Sequence, residues 1–301
     1  CAALYPEKPI YDIPAHPQIT GEGLIENLRL QIEPFNPTYQ LGQQVTTITP
    51  NDASGKSWTV TTSTGTQICT KTIIIAAGVG AFGPNRPPLA GIEEFEGSSV
   101  HYYVKSRESY RNKTIVIAGG GDSAVDWAIS LSEVAKRVSV VHRRPKFRAA
   151  PESEARLKAL ADSGVIDLVV PYQLSGLEGA NGQLTKVMVQ SLEGDTKDLH
   201  ADVLLPFFGL SMNLGPIAEW GLGLDNHHIT IDPATCATNR PGIYAIGDIA
   251  TYPHKLKLIL NGFAEGAQAA HAIRRFLYPE EILHFEYSTT KGLPIATATA
   301  A

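Results

Sequence analysis

Ala118-Gly119-Gly120-Gly121-Asp122-Ser123-Ala124 fits the pattern G-x-G-x-x-A. Such a pattern binds a pyrophosphate through backbone geometry. Gly119 permits the tight turn off a strand, Gly121 lets the backbone come close to the pyrophosphate, and Ala124 lets the next helix pack near the sheet. Asp122 and Ser123 open that helix, whose first N–H groups and dipole favour an anion. Further on stand His142-Arg143-Arg144, with Arg148 four residues later. An acidic side chain at the end of the second strand would hold the ribose 2'-hydroxyl of NAD and repel a 2'-phosphate. Guanidinium groups there clamp a phosphate instead, through charge-assisted, bidentate hydrogen bonds. The chemistry these residues point to is binding of NADP(H) between Thr114 and Arg148.

A bare glycine match is more often only a tight turn, so the flanking elements decide. Thr114–Ala118, TIVIA, is a short apolar run with the pattern of a buried strand, and Asp122 to Ala135 follows with helical spacing of Val125, Ile129, Leu131 and Val134. Val138 to Val141 is the next strand. Strand, glycine loop, helix and strand within about 30 residues make a βαβ unit, which demands a parallel sheet. Reading the arginines as a merely solvated basic loop leaves their coincidence with this position unexplained. Elsewhere, Trp58–Thr62 and Gln67–Thr70 read as a hairpin, and Thr72 to Ala77, TIIIAA, as a buried strand. Helices are predicted over Gly21 to Ile32, Glu152 to Ser163 and Gly262 to Leu277, and strands over Val165 to Val170, Leu184 to Gln190 and Gly242 to Ile246.

The 301 residues carry 43% apolar and 18% charged residues, enough for two domains with their own cores. A net charge of −5 argues against general nucleic-acid binding, although six of the 25 basic residues lie between Lys136 and Arg148. No run reaches the roughly 18 apolar residues of a membrane helix and no signal peptide opens the chain, so the cytoplasm is the expected address. Cys1, Cys69 and Cys236 are far apart and form neither a disulfide framework nor a C-x-x-C pair; no metal site is expected.

With HRRPKFRA at His142–Ala149 following GGGDSAVDWA at Gly119–Ala128, the chain resembles the NADPH domain of the thioredoxin reductase-like flavoproteins. TIIIAAG at Thr72–Gly78 and GIYAIGD at Gly242–Asp248 are similar to the two internal FAD-domain motifs of that superfamily. Thioredoxin reductases carry C-x-x-C just before the NADPH-domain strand, whereas His101–Arg107 here holds no dithiol, and reduced flavin then has no thiol-exchange route to a disulfide. ALYPEKPIYD at Ala3–Asp12, GVGAF at Gly78–Phe82, VHYYVKS at Val100–Ser106, KLKLILNGFAEGA at Lys255–Ala267 and YSTTK at Tyr287–Lys291 together resemble the thioredoxin reductase-like ferredoxin–NADP reductases over nearly the whole chain.

That resemblance implies an α/β fold of two Rossmann-like dinucleotide-binding domains. The NADPH domain, residues 99–222, is inserted in an FAD domain built from residues 1–98 and 223–301. It implies electron transfer between NADPH and ferredoxin or flavodoxin by way of FAD, with no obligatory protein acid or base, in a homodimer. By the same resemblance Tyr5 and Tyr287 stack on the flavin, and Val45, Phe82, Asp248 and Thr289 also contact FAD. Lys255, Lys257, Arg274 and Arg275 are the cations that could meet an acidic carrier. Family members begin with a strand, a G-x-G-x-x-G loop, a helix and a strand ending in Glu; residue 1 corresponds to a position after that block, so the sequence reads as N-terminally truncated. Two other readings stay open: a reductase of another carrier or of a low-molecular-weight disulfide, and a flavin-free NADP(H)-binding module.

Overall fold

The computed structural model describes residues 5–52 and 54–282. It divides into two compact units. Among the described residues, one comprises those up to Pro9, Thr20–Ile25 and Pro84–Ser211; the other comprises Ile10–Ile19, Glu26–Gly83 and residues 212–282.

The first unit is built on a four-stranded sheet in which Thr114–Ala118 is flanked by Arg137–Val141 and Val203–Pro206, with Ile166–Val169 outermost. All three pairings are parallel, for example Ile117 beside Val140 and Ile115 beside Val203. Every residue of TIVIA is buried, as a central parallel strand covered on both faces requires. Side chains alternate along it, so the strand serves two cores at once. Ile115 and Ile117 pack with Ala124, Val125, Ala128 and Leu157 of the helices Asp122–Leu131 and Pro151–Asp162. Val116 and Ala118 turn the other way, onto Leu184, Val187 and Val189. Those belong to an antiparallel meander of Gln173–Ala180, Gln183–Gln190 and Thr196–His200. The strand order reverses at Thr114–Ala118: Arg137–Val141 and then Ile166–Val169 extend the sheet on one side, and the chain returns to the other side with Val203–Pro206. In open parallel sheets the crevice beyond the strand ends at such a reversal is where ligands bind.

In the second unit Val45–Pro50, Trp58–Thr62 and Gln67–Thr70 form an antiparallel sheet, and the hairpin has the predicted bounds. Trp58 is buried, and its indole N–H donates to Gly55 O at 3.0 Å. Ile73–Ile75 pairs in parallel with Ile243–Ala245, and the long helix runs Ile259–Leu277. Trp58, Ile75, Ile229, Ile243, Ile249 and Ala269 meet in one core.

Two expectations need correction. The helix after the glycine loop ends at Leu131, where the chain passes into a turn with the Val134 N–H bonded to Leu131 O; Val134 is buried all the same, which explains its helical spacing. Residues of the TIIIAA strand are not uniformly buried. Among the described residues Ile73–Ile75 has one partner strand, and Ile74 is 44% exposed.

Ile117→Ala removes a fully buried side chain between sheet and helices and is expected to cost about 2–5 kcal/mol of unfolding free energy. Ile74→Ala should cost about 1 kcal/mol or less. Urea titrations followed by tryptophan fluorescence measure both, and equal losses would contradict this assignment of the core.

Candidate functional site

In the first unit the sheet delivers the glycine loop in an extended, strained form. Gly119 has φ +153°, and a Cβ there would lie 2.7 Å from Phe207 O and 3.0 Å from the Ala124 methyl. Only glycine fits, and the clash with Ala124 shows how closely the helix seats against the turn. Gly119 N–H donates to Val141 O at 3.0 Å, which fixes the loop to the next strand. Gly121 caps the helix with its backbone extended and no side chain bonded to the first turn. A Cβ on Gly121 would meet nothing within 4 Å, so open space faces the helix N-terminus. Ser123 lies exposed beside that space, and Ala124 is fully buried.

The basic segment is attached to this loop by two hydrogen bonds. Arg148 N–H donates to Gly120 O at 2.6 Å, and Ala150 N–H donates to Asp122 Oδ1 at 2.9 Å. The His142 ring lies directly over Gly120, where a Cβ would come within 2.2 Å of the imidazole. Phe147 backs the ring at 5.1 Å, and His142 Nε2 is 3.3 Å from Lys146 O. Arg143, Arg144 and Arg148 are exposed, and none has a carboxylate partner among the described residues. Three unpaired guanidinium groups beside an uncapped helix N-terminus form an anion site. The open space at Gly121 fits a pyrophosphate and the arginines fit a further phosphate. The middle glycine, Gly120, was missed as a sequence signal; its reason is the histidine lying on it.

Burial holds the His142 imidazole below its ordinary pKa, opposed by the bond to the Lys146 carbonyl and assisted by the charges of Arg143, Arg144 and Arg148. The unfolded chain therefore binds the proton more readily. This contribution to stability is complete above pH 6.5 and is lost as pH falls towards the lowered folded value.

Tyr5 also belongs to the first unit, half-buried against the core that carries the nucleotide helix. Lys8 pairs with Asp126 at 2.8 Å, and Arg107 N–H donates to Glu7 at 2.8 Å, so the turn that follows Tyr5 is tied down by two contacts.

The remaining described residues expected at the flavin lie in the second unit. Val45 is half-buried and opens its strand, and Phe82 lies in the strand Ala81–Pro84. Asp248 sits in the single turn Gly247–Ile249 that follows Ile243–Ala245, half-buried and with no hydrogen-bond partner among the described residues. Ile249, fully buried, anchors that turn. Open space borders Gly78 and Gly247, where a Cβ would meet nothing within 4 Å. An unpartnered carboxylate next to such space fits the hydroxyl groups of a ribityl chain. Tyr287 and Thr289 lie outside the described residues.

Lys255 corrects an expectation. Its side chain is 5% exposed and is paired with Glu265, which is 3% exposed, so it is not a surface cation for a carrier. The signal for this pair was Glu265 itself, an acid on the buried stripe that it shares with Ala269. Arg274 is engaged with Glu281, while Lys257 and Arg275 remain exposed. Cys69 and Cys236 are free thiols, one exposed and one buried, and they form no dithiol. No helix of the described residues is long and apolar enough to cross a membrane, and no group of metal-ligating side chains occurs among them.

A parallel sheet with a glycine loop at its reversal, an exposed arginine cluster bonded to that loop and a second unit with its own strand-to-aspartate turn fit a pyridine-nucleotide oxidoreductase. The chain belongs to the pyridine nucleotide-disulphide oxidoreductase family, whose pattern matches residues 8–272, and within it to the ferredoxin–NADP reductases. It is 64% identical over 293 residues to a ferredoxin–NADP reductase of Paramagnetospirillum magneticum, covering 97% of this chain and 86% of that one. It is 61% identical to one of Granulibacter bethesdensis, covering 98% and 83%. Thioredoxin reductase of Lactococcus lactis superposes with a TM-score of 0.76 at 25% identity, over 90% of this chain and 86% of that one. Thioredoxin reductase of T. acidophilum superposes at 0.75 and 20% identity, over 91% and 85%. The α/β fold is thus that of the FAD/NAD(P)-binding, thioredoxin reductase-like proteins.

The state of His142 gives a direct check on the phosphate site. Its ring is expected to titrate below pH 6.5 in the free protein and at higher pH with 2'-phospho-AMP bound, as seen by NMR, because an anion favours the imidazolium. Saturation with this ligand and no change in midpoint would place the phosphate away from His142.

Proposed function

We propose that this chain passes electrons between NADPH and a ferredoxin, or a flavodoxin, by way of FAD. The observation that carries this reading is the cluster of three unpaired arginines stitched to the glycine loop, joined to near-complete alignment with relatives named ferredoxin–NADP reductase. Gly119, Gly121 and the first turn through Asp122, Ser123 and Ala124 receive the pyrophosphate. His142, Arg143, Arg144 and Arg148 receive the 2'-phosphate. Residues 99–222 form the NADPH domain, and residues 1–98 with 223–301 the FAD domain, where Val45, Phe82 and Asp248, with Thr289, meet the cofactor and Tyr5 and Tyr287 stack on its ring.

FAD, held by these residues, would supply the chemistry of hydride exchange with the nicotinamide and of single-electron exchange with an iron–sulfur protein. The chain binds and orients. Asp248 accepts hydrogen bonds from sugar-like hydroxyls, and the arginines choose NADPH over NADH. No side chain has to hold or move a proton in this reaction. The two free cysteines leave no thiol relay among the described residues, which favours a one-electron carrier over a disulfide as the partner. An exposed free thiol at Cys69 suits a reducing cytoplasm. Two copies are expected to associate, and sedimentation measures it.

Arg143→Ala with Arg144→Ala removes two charge-assisted contacts, so NADPH affinity should fall roughly 100-fold while NADH affinity changes little. Equal losses for both nucleotides would sink the specificity assignment. The purified protein with FAD should show the visible bands of oxidised flavin, bleached by NADPH, and should reduce cytochrome c only when ferredoxin or flavodoxin is added. A colourless protein that still binds NADPH would instead be a nucleotide-binding module.

A further inference from the structure

We propose that Glu265 is the positioning residue of the Gly247–Asp248 turn: its buried carboxylate, held by Lys255 and Tyr252, fixes the backbone from which Asp248 meets the flavin. This rests on the reading of Asp248 as a flavin contact. The two carboxylate oxygens have different tasks. Oε2 accepts the Gly247 N–H at 2.7 Å, while Oε1 accepts the Tyr252 hydroxyl at 2.9 Å and the Lys255 ammonium.

Several features separate this arrangement from ordinary core packing. A buried ion pair confers little stability relative to apolar side chains of the same volume, since desolvation offsets the attraction. A helix that needed only to pack would carry an apolar residue at this position. Ala269, the other buried residue of the helix, is of that kind. The long helix also passes close to the turn, with a Cβ on Gly262 lying 3.5 Å from Gly247 Cα, so a side chain one turn further along it reaches the Gly247 amide. Gly247 has φ +72°, a left-handed conformation, and its N–H is directed to the carboxylate. The next residue, Asp248, has its own carboxylate unpartnered. Thus the acid that is bonded three times is buried, whereas Asp248 is half-buried, makes no hydrogen bond or ion pair among the described residues, and stands beside the open space at Gly247 within electrostatic reach of His228. Cys236 packs on the same helix, its thiol 3.5 Å from Glu265 O. Burial, with the Glu265 charge, pushes that thiol up to about 11, so it stays protonated and does not compete for Lys255.

The test compares two full-length double variants that both lack the buried charges. Lys255→Met with Glu265→Leu leaves the Gly247 N–H without an acceptor, whereas Lys255→Met with Glu265→Gln keeps an amide oxygen for it. Four readouts are taken on each: thermal unfolding, NADPH affinity, FAD affinity by fluorescence titration, and the chemical shift and hydrogen exchange of the Gly247 amide without FAD. The glutamine variant should bind FAD within threefold of the parent. The leucine variant should bind it at least tenfold more weakly, with the Gly247 amide shifted upfield and exchanging faster, while NADPH affinity stays within threefold in both. Asp248→Ala serves as the reference. If Asp248→Ala weakens FAD but the leucine and glutamine variants bind it alike, or share the same Gly247 amide signal, the positioning role is wrong. If Asp248→Ala leaves FAD affinity unchanged, or the parent takes up no FAD, the underlying reading of the flavin site falls. Should the leucine variant fail to fold, the glutamine variant alone decides: a tenfold loss of FAD with the amide bond intact overturns the proposal.

Discussion

A single backbone hydrogen bond, Arg148 N–H to Gly120 O at 2.6 Å, decides whether the arginines form a site. Guanidinium groups on an exposed loop have long, mobile stems, and ordering each one costs conformational entropy when a ligand binds. Bonding the loop backbone to the glycine turn settles in advance where those stems begin. The Ala150 N–H to Asp122 bond reinforces the attachment two residues further on, and the His142 ring fills the space above Gly120 at the segment's start. With His142 bonded to the neighbouring strand and Arg148 to the glycine turn, the short stretch that carries Arg143 and Arg144 is held at both ends. Three like charges kept together without counter-ions repel one another, and exposure to water keeps that cost small. An incoming phosphate reverses its sign.

The attachment works because the sheet beneath it cannot shift. Thr114–Ala118 is covered on both faces, by helices on one side and the antiparallel meander on the other, so its register is set by two cores. A slip by one residue would exchange Ile115 and Ile117 for Val116 and Ala118 on the helix side and spoil both. The end of this strand is therefore a fixed point, and Gly119 turns off it at an angle that no residue with a Cβ could take.

This part of the molecule was legible in the sequence because its signals are local. TIVIA, three glycines, the helical spacing of Val125 and Ile129 and the run HRR all fall within one βαβ unit, where neighbours in sequence are neighbours in space. The meander was harder to read. Gln173–Ala180 contains two glycines and two register shifts, between Leu174 and Gly176 and between Glu178 and Gly179, which break the period-2 pattern. The exposure of Ile74 was hidden for a different reason: an apolar run shows what a strand could bury, whereas how many partners cover it depends on the rest of the sheet. Lys255 looked like a surface cation because only the path of the long helix brings it to Glu265.

The two units resolve one physical problem in the same way. A group that must meet an anion or a hydroxyl has to keep its charge free of internal partners, yet it must also stand in a defined place. In the first unit the arginine side chains are unpaired, while the backbone of their segment is bonded, Arg148 N–H to Gly120 O and Ala150 N–H to the Asp122 carboxylate. In the second unit the Asp248 carboxylate is unpaired and the backbone beside it is bonded, through the Gly247 N–H and Glu265. Each time, main-chain groups supply the order and the side-chain charge is left available, which limits the rearrangement needed when the charge is used. The difference lies in where the bonding partner comes from. The glycine loop is held by a segment about 28 residues away that the sheet already places alongside it. The Gly247 turn depends on a carboxylate that must first be brought out of water, and burying that carboxylate is what requires Lys255 and Tyr252 on its other oxygen.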